Sequence, residues 1–437
     1  MSSALDPSTT EQSTAISRAS ATLGKSLGDP GWLAKLRADA AATADRLAFP
    51  DSHRERPWKY LDVSGLRLDG YSAGAGATLR GTSAEIRARY GIGDVAAVLV
   101  QHNSETILSE SGEGVTVTDF ADASDREQAL IQQHLATGIP AGRSKFTALH
   151  YAYLRGGTLV SVAPNAEVKA PVRIVRSLDA ASQLAAPHTL IVTGANSRVN
   201  IIEDYRSSDA DIVVLPVVEV VPGPGSEVRY TALHRWGAET RVFSEQRLIT
   251  ERDAAFIGLN VVIGGKVVKG HVQASLEGRG SSSELFGLIL GNDVQHADFY
   301  TIQDHIGPDT RSDLLYKAAL KDTSRSVYYG LTRVGLQAHN ADANQENRNL
   351  LLSRTAKADS DPVLEILTND VIRVSHGVTA GPVDEEQLYY LQARGIPHAA
   401  AEALLVRAFL GQVLDRVPDE ALRAELADVI DARLGSR

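Results

Sequence analysis

Between about residue 157 and Val374 the chain repeats one texture, and that run constrains the fold more than any other feature. GTLVSVAPNAEVKAPVRIV, HTLIVTGANSRVNIIEDY, DIVVLPVVEVV, TRVFSEQRLIT, AAFIGLNVVIGG, SSSELFGLILGND and VQHADFYTIQDH appear in that order. Each is a β-branched or aromatic alternation of strand length, closed by Gly, Asn, Asp or Pro. Many short strands at roughly 8–14-residue spacing fold as a sandwich, a barrel, a propeller or a β-solenoid. No recurring Gly-His to Trp-Asp blade unit is present, which disfavours a propeller. Turns at Ala195-Asn196, Gly264-Gly265, Gly278-Arg279-Gly280 and Gly291-Asn292-Asp293 suit solenoid corners, where left-handed backbone is needed. A solenoid also needs capped ends, because its terminal coils offer open sheet edges.

Helical patterns at both ends of the run fit that need. Upstream, residues 30–48, 82–90 (capped by Thr82 or Ser83), 124–138 and 144–155 read as helices, and the Ser/Thr/Ala-rich residues 1–25 are expected to fray at the start. Downstream, Asp384 with Gln387 opens a helix that stops at Gly395. Pro397 opens a second, with Leu405, Phe409 and Val413 on one face, and Pro418 opens a third, with Leu422, Leu426, Val429 and Ile430 on one face. The expectation is a mainly β protein with helical ends: an N-terminal helical or mixed unit over 1–145, a β-solenoid core over 146–375 and a C-terminal helical unit over 376–437.

Composition removes several function classes. Cys is absent, so disulfides, Cys-based zinc sites, cysteine nucleophiles and clusters held by this chain's own thiolates are excluded. The formal net charge of −10 argues against general nucleic-acid or anionic-membrane binding. The polar opening MSSALDPSTTEQSTAIS is unlike a signal peptide, and runs such as DIVVLPVVEVV are too short and charged to span a bilayer. A cytoplasmic protein is expected.

The local motifs divide between chemistry and architecture. Ile263-Gly264-Gly265-Lys266 is followed by Val267 and reads as a turn rather than a P-loop, and Gly74-Ala75-Gly76 lacks the third glycine of a dinucleotide fingerprint. The densest polar constellation is Asp293, His296, Asp298, Asp304, His305 and Asp309. It suits either a hard-metal or acid/base site, or the turn and edge chemistry of a solenoid corner. On a strand, His296, Asp298 and Asp304 share one face and His305 points the other way. Trp58 and Tyr60 in RPWKYLDVSGL read as a recognition platform or as packing of a helical cap onto the core. HNADANQENRNLLLS, residues 339–353, reads as buried Asn and Gln ladders or as a ligand site. His376 stands where the β run gives way to helices, as a structural histidine or as an imidazole ligand.

One stretch carries a family resemblance. Residues 326–396 contain NLLLS, PVLEI, NDV, SHGVTAG and DEEQLYYLQARGI in order. This run closely resembles the C-terminal half of the SufB/SufD family of iron–sulfur cluster assembly proteins. RPWKYLDVSGL resembles the family's N-terminal aromatic motif, and Asp304-His305 with Leu315-Tyr316-Lys317 fits its central core. Within the family the arrangement is more similar to SufD than to SufB, whose cluster-building cysteine has no counterpart here. The resemblance implies a right-handed parallel β-helix between two helical domains. It implies a non-catalytic scaffold subunit of the SUF machine that pairs with a SufB-like subunit and binds a SufC-like ATPase through its C-terminal helices. Leu405, Phe409 and Val413 lie on those helices. It also implies a cluster formed near the SufB–SufD interface, to which SufD contributes the His of a Cys-Ser-His-Gly motif, and that His falls on His376. The motif's Cys is Val374 here, so soft thiolate coordination must come from the partner and no cluster is held stably by this chain alone. Whether a flavin binds, and whether the chain forms a homodimer when alone, stay open. Two rival readings are a β-helix carbohydrate-active enzyme using Asp293, Asp298 and Asp304, and a self-associating β-helix scaffold with no metal role.

Overall fold

The computed structural model describes residues 7–68, 70–74, 76–417 and 419–434. Residues 1–6, Ala75 and Pro418, on which parts of the expected N-terminal segment, the Gly74-Ala75-Gly76 run and the start of the expected last helix fall, lie outside the described residues. The core is a parallel β-solenoid of about eight turns, flattened into two sheets of ten and eleven strands. Successive strands alternate between the sheets: Val267–Leu276 lies in one, Ser282–Gly291 in the other, and His296–His305 returns to the first. Val267 therefore sits beside His296, and His296 beside Arg325.

The corners explain why the chain coils this way. Asn165, Asn196, Gly225, Asp253, Gly280, Asp309 and Asn340 form one column, each with φ between 56° and 73°. Each donates its backbone N–H to a carbonyl in the next coil, as Asn196 does to Pro224 (2.9 Å) and Asp253 to Arg279 (2.9 Å). Only Gly, Asn and Asp hold this left-handed backbone at low cost, so the corner residues of the sequence report the coil directly.

The helices take a different role from the one expected. They lie on the flanks of the solenoid, not over its ends. Gly31–Arg46 and Lys145–Ala152 cover the outer face of one sheet, where Ala40, Ala41 and Tyr151 pack with Leu159 and Leu190. Trp58 stacks on Phe146 (5.3 Å) and Phe243 (6.3 Å), as the packing reading of RPWKYLDVSGL required. His398–Leu414 and Glu420–Leu434 cover the outer face of the other sheet, placing Val406, Leu410, Leu422 and Leu426 against Leu259, Phe286 and Leu288. The Ser/Thr/Ala-rich segment is helical over Pro7–Leu27, and its first six residues, where fraying was expected, lie outside the described residues. The first solenoid turn is closed by antiparallel strands: Glu105–Glu110 pairs with Ala97–His102, and Val115–Asp119 with Gly157–Val162. Nothing among the described residues pairs with the outer edges of the last two strands, Lys357–Ile366 and Val371–Gly381. The latter crosses the expected boundary at 375/376, and Ala97–His102 joins the solenoid from within the expected N-terminal unit.

Candidate functional site at the open end of the solenoid

The uncovered last turn brings together the residues on which a function could rest. In Val371–Gly381, His376 lies beside Gln345, which lies beside Leu314. Gln345 and Leu314 are buried in the interior. Register places His376 in the same inward-facing column, and the side chain is exposed because no further coil covers it. By the same alternation Val374 lies over Ala343 and Val378 over Asn347. Val374 packs against the cluster of Val334, Ala338 and Ala341. His376 thus stands at the mouth of the solenoid's bore, beside apolar neighbours.

Beneath it the bore is polar. Thr332 donates to Gln345 Oε1 (2.9 Å) or Gln303 Oε1 (3.1 Å), and Gln303 Nε2 donates to Ser312 Oγ (2.7 Å). Ser312 Oγ lies 2.8 Å from His305 Nε2, and His305 Nδ1 is 2.8 Å from Thr310 Oγ1. Burial pushes His305 down to about 4, so it is neutral at pH 7 and its partners are hydroxyls. One layer out, Asn349 Nδ2 (2.7 Å) and Ser360 Oγ (2.5 Å) both donate to Asn347 Oδ1. The polar segment 339–353 therefore forms buried Asn and Gln ladders. Gln345 Nε2, directly under the mouth, is buried without a partner.

The rim is apolar and edge-like. Ile372 is 70% exposed, and Ile366, Leu367 and Val378 are also exposed. Pro362 interrupts the donor row of Lys357–Ile366, whereas Val371–Gly381 has no proline. The donor set at the mouth is one imidazole with no thiolate.

The aspartate constellation does not converge. Asp298 is buried beneath the N-terminal segment and bonded to Lys269 Nζ (2.7 Å), and Asp304 is held by Arg333 (2.5 Å) on the outer face. Asp309 pairs with Arg279 (2.8 Å) and Asp293 is a left-handed corner. His305 points into the bore, opposite to Asp304, as strand parity required. Among the described residues no group of three His, Asp or Glu side chains is placed to hold a metal ion.

The C-terminal stripe turns inward. Val413 is fully buried against the solenoid, and Leu405 and Phe409 are half-buried. Lys317 Nζ donates to Phe409 O (2.6 Å) and Gln412 Oε1 (2.7 Å), fixing that helix to the sheet. The assignment of Val413 to a docking face is therefore corrected: its surface is spent on the chain's own core. Among the described residues, the large apolar side chains exposed on these helices are Tyr389, Tyr390 and Leu404. They were missed because helical periodicity finds a stripe without saying what the stripe packs on.

Comparison with known proteins agrees with this architecture. Residues 176–409 match the family model described as "SUF system FeS cluster assembly, SufBD core domain". The chain is 28% identical to the iron–sulfur cluster assembly protein SufD of Bacillus subtilis, over 93% of this chain and 95% of that protein. It is 30% identical to an iron–sulfur cluster assembly SufBD family protein of Mycobacterium bovis, over 68% of this chain and 75% of that one. It is 26% identical to SufB of Bacillus subtilis, over 75% and 71%. No described helix is long and apolar enough to cross a membrane. With a solenoid core, a family model covering more than half its length and its greater similarity on the SufD side, this chain belongs to the SufBD family of the SUF iron–sulfur cluster assembly system.

Proposed function

We propose that this protein is a SufD-like, non-catalytic scaffold subunit of a cytoplasmic SUF machine, pairing through its uncovered last turn with a SufB-like subunit. One observation carries the reading: the solenoid is closed at its first turn and left open, apolar-rimmed and bearing His376 at its last. An open edge of this kind is a template for pairing with another chain. The nascent cluster is cargo at that junction. His376 supplies a neutral nitrogen donor, and the partner supplies the thiolates that this sequence lacks.

The SufC-like ATPase docks on the C-terminal helices through Tyr389, Tyr390 and Leu404, the apolar side chains left exposed there. ATP-driven dimerisation of two ATPase copies would pull on those helices, which are bonded to the sheet through Lys317, and so open the subunit interface. Deleting everything after Gly381 would strip cover from Leu259, Phe286 and Leu288, so surface substitutions are the cleaner test. Co-purification of the three subunits should show Ile372→Asp losing the SufB-like partner while keeping the ATPase. The triple change Tyr389→Ala, Tyr390→Ala, Leu404→Asp should do the reverse. Retention of both partners by both variants would refute the assignment of these surfaces.

A further inference from the structure

Arg247 stands on the outer face of strand Arg241–Thr250, between Glu219 on one side and Gln273 on the other. Glu219 would be its natural counter-ion, but Glu219 is already engaged. Its Oε1 accepts from the backbone N–H of Gly138 (2.8 Å) and Ile139 (3.0 Å), and its Oε2 from that of Ala136 (2.9 Å), with His188 Nε2 at 3.3 Å. Glu245, two residues away on the same face, is held by His271 Nδ1 (2.9 Å) and Arg143 Nε (3.5 Å). Asp304 is held by Arg333. Among the described residues, Arg247 forms hydrogen bonds only to uncharged groups.

It meets a second guanidinium instead. Arg247 Nη1 (3.1 Å) and Arg143 Nη2 (3.2 Å) both donate to Gln273 Oε1. Arg247 Nη2 donates to Ser275 Oγ (3.2 Å), and Arg247 Nε is buried with no partner. Burial, and then the charge of Arg143, push the Arg247 guanidinium below its ordinary value, and the carboxylates of Glu277, Asp304 and Glu219 offset that only in part. Two cations sharing one neutral acceptor repel each other, and an anion between them would remove that repulsion. Arg143 also lies against His271, which stacks on Tyr300 at 4.6 Å and 5°. A cavity of about 230 Å³ opens beside Arg143, lined in part by Lys269, His271 and Tyr300 and by the carboxylates of Glu55 and Glu245.

We propose that Arg143 and Arg247 form a binding site for a small oxyanion of the phosphate class, on the sheet face away from the C-terminal helices. Planar guanidinium forks match the oxygens of phosphate. The stacked rings of His271 and Tyr300 offer a flat surface to an aromatic group attached to that phosphate. This site is separate from the bore mouth and does not depend on the role of His376.

The test uses the full chain, titrated calorimetrically with inorganic phosphate and with phenyl phosphate, against chloride at matched ionic strength. Saturable binding is expected, weakened about tenfold or more in Arg247→Gln, a loss in keeping with removing one charge-assisted contact. Arg252→Gln, on an exposed corner, should leave it unchanged. Arg143→Gln gives the same reading should Arg247→Gln lower thermal stability. Tighter binding of phenyl phosphate assigns the rings to the site, and equal affinities assign it to free phosphate. No saturable binding of either probe, or equal affinity in wild type and both glutamine variants, overturns the proposal.

Discussion

The two ends of one solenoid are built from the same coil and finished in opposite ways. At the first turns, antiparallel strands occupy the sheet edges, and the interior is apolar around a single buried ionic knot. There Arg176 Nε bonds Glu203 (2.5 Å), whose other oxygen accepts from Tyr230 OH (2.8 Å). At the last turns, the edges are free, and the interior is a relay of uncharged side chains from His305 to Gln345. A closed end secures the fold of one chain. At the open end most interior polar groups bond one another, Gln345 Nε2 excepted, and among the described residues nothing pairs with the outer strand edges. The contrast teaches where stability and function separate in this molecule.

Several substitutions would break or sharpen that contrast. The largest effect is expected at the closed end. Arg176→Met leaves Glu203 buried without its cation, which should cost about 3–5 kcal/mol in denaturant unfolding. A loss under about 1 kcal/mol would show that the knot is not structural. Packing comes next: Leu99→Ala, at a fully buried position, should cost about 3 kcal/mol. The same kind of truncation at the mouth, Val378→Ala, should cost under about 1 kcal/mol in the isolated chain, because Val378 is 39% exposed. Equal losses at the two sites would erase the distinction between the ends.

A pH series separates the ends more finely. His305 falls from 6.5 to about 4 in the folded chain through burial. Between those values the unfolded state binds the proton and the folded state does not, so stability rises with pH and is lost as pH falls from about 6.5 toward 4. That displacement corresponds to about 3 kcal/mol. His234, in the earlier turns, is likewise pushed down to about 4 by burial. His305→Gln should therefore flatten, without abolishing, the acid-induced fall in unfolding free energy, leaving the shares due to His234 and to His150, His102 and His134, which burial also pushes down. An unchanged slope would mean that His305 is protonated in the folded bore.

The parts of this architecture that rest on local chemistry were legible in the sequence. Asn196, Gly265, Gly280 and Asp293 were readable as corners because left-handed backbone selects those residue types, and all four have positive φ. Thr82 and Asp384 were readable as caps, and Asp384 Oδ1 does accept from Glu386 N (2.9 Å) and Gln387 N (3.1 Å). What depends on which face meets which was not legible. The helices were expected over the ends, yet they lie on the flanks. AFIGLNVV and ELFGLILG, apolar on both faces rather than alternating, were the available signal that both sides of those strands are covered. The column from Leu314 through Gln345 to His376 needed the register between coils, which turn lengths set and local pattern does not reveal.

The central claim, that the open mouth is a shared assembly site to which His376 contributes a donor, is tested by His376→Ala in the reconstituted complex with SufB-like and SufC-like subunits. Thermal stability, complex recovery and cluster yield are measured on the same preparations. Because His376 is exposed, stability and recovery should match wild type while cluster yield falls. Wild-type cluster yield in an intact complex would contradict the account.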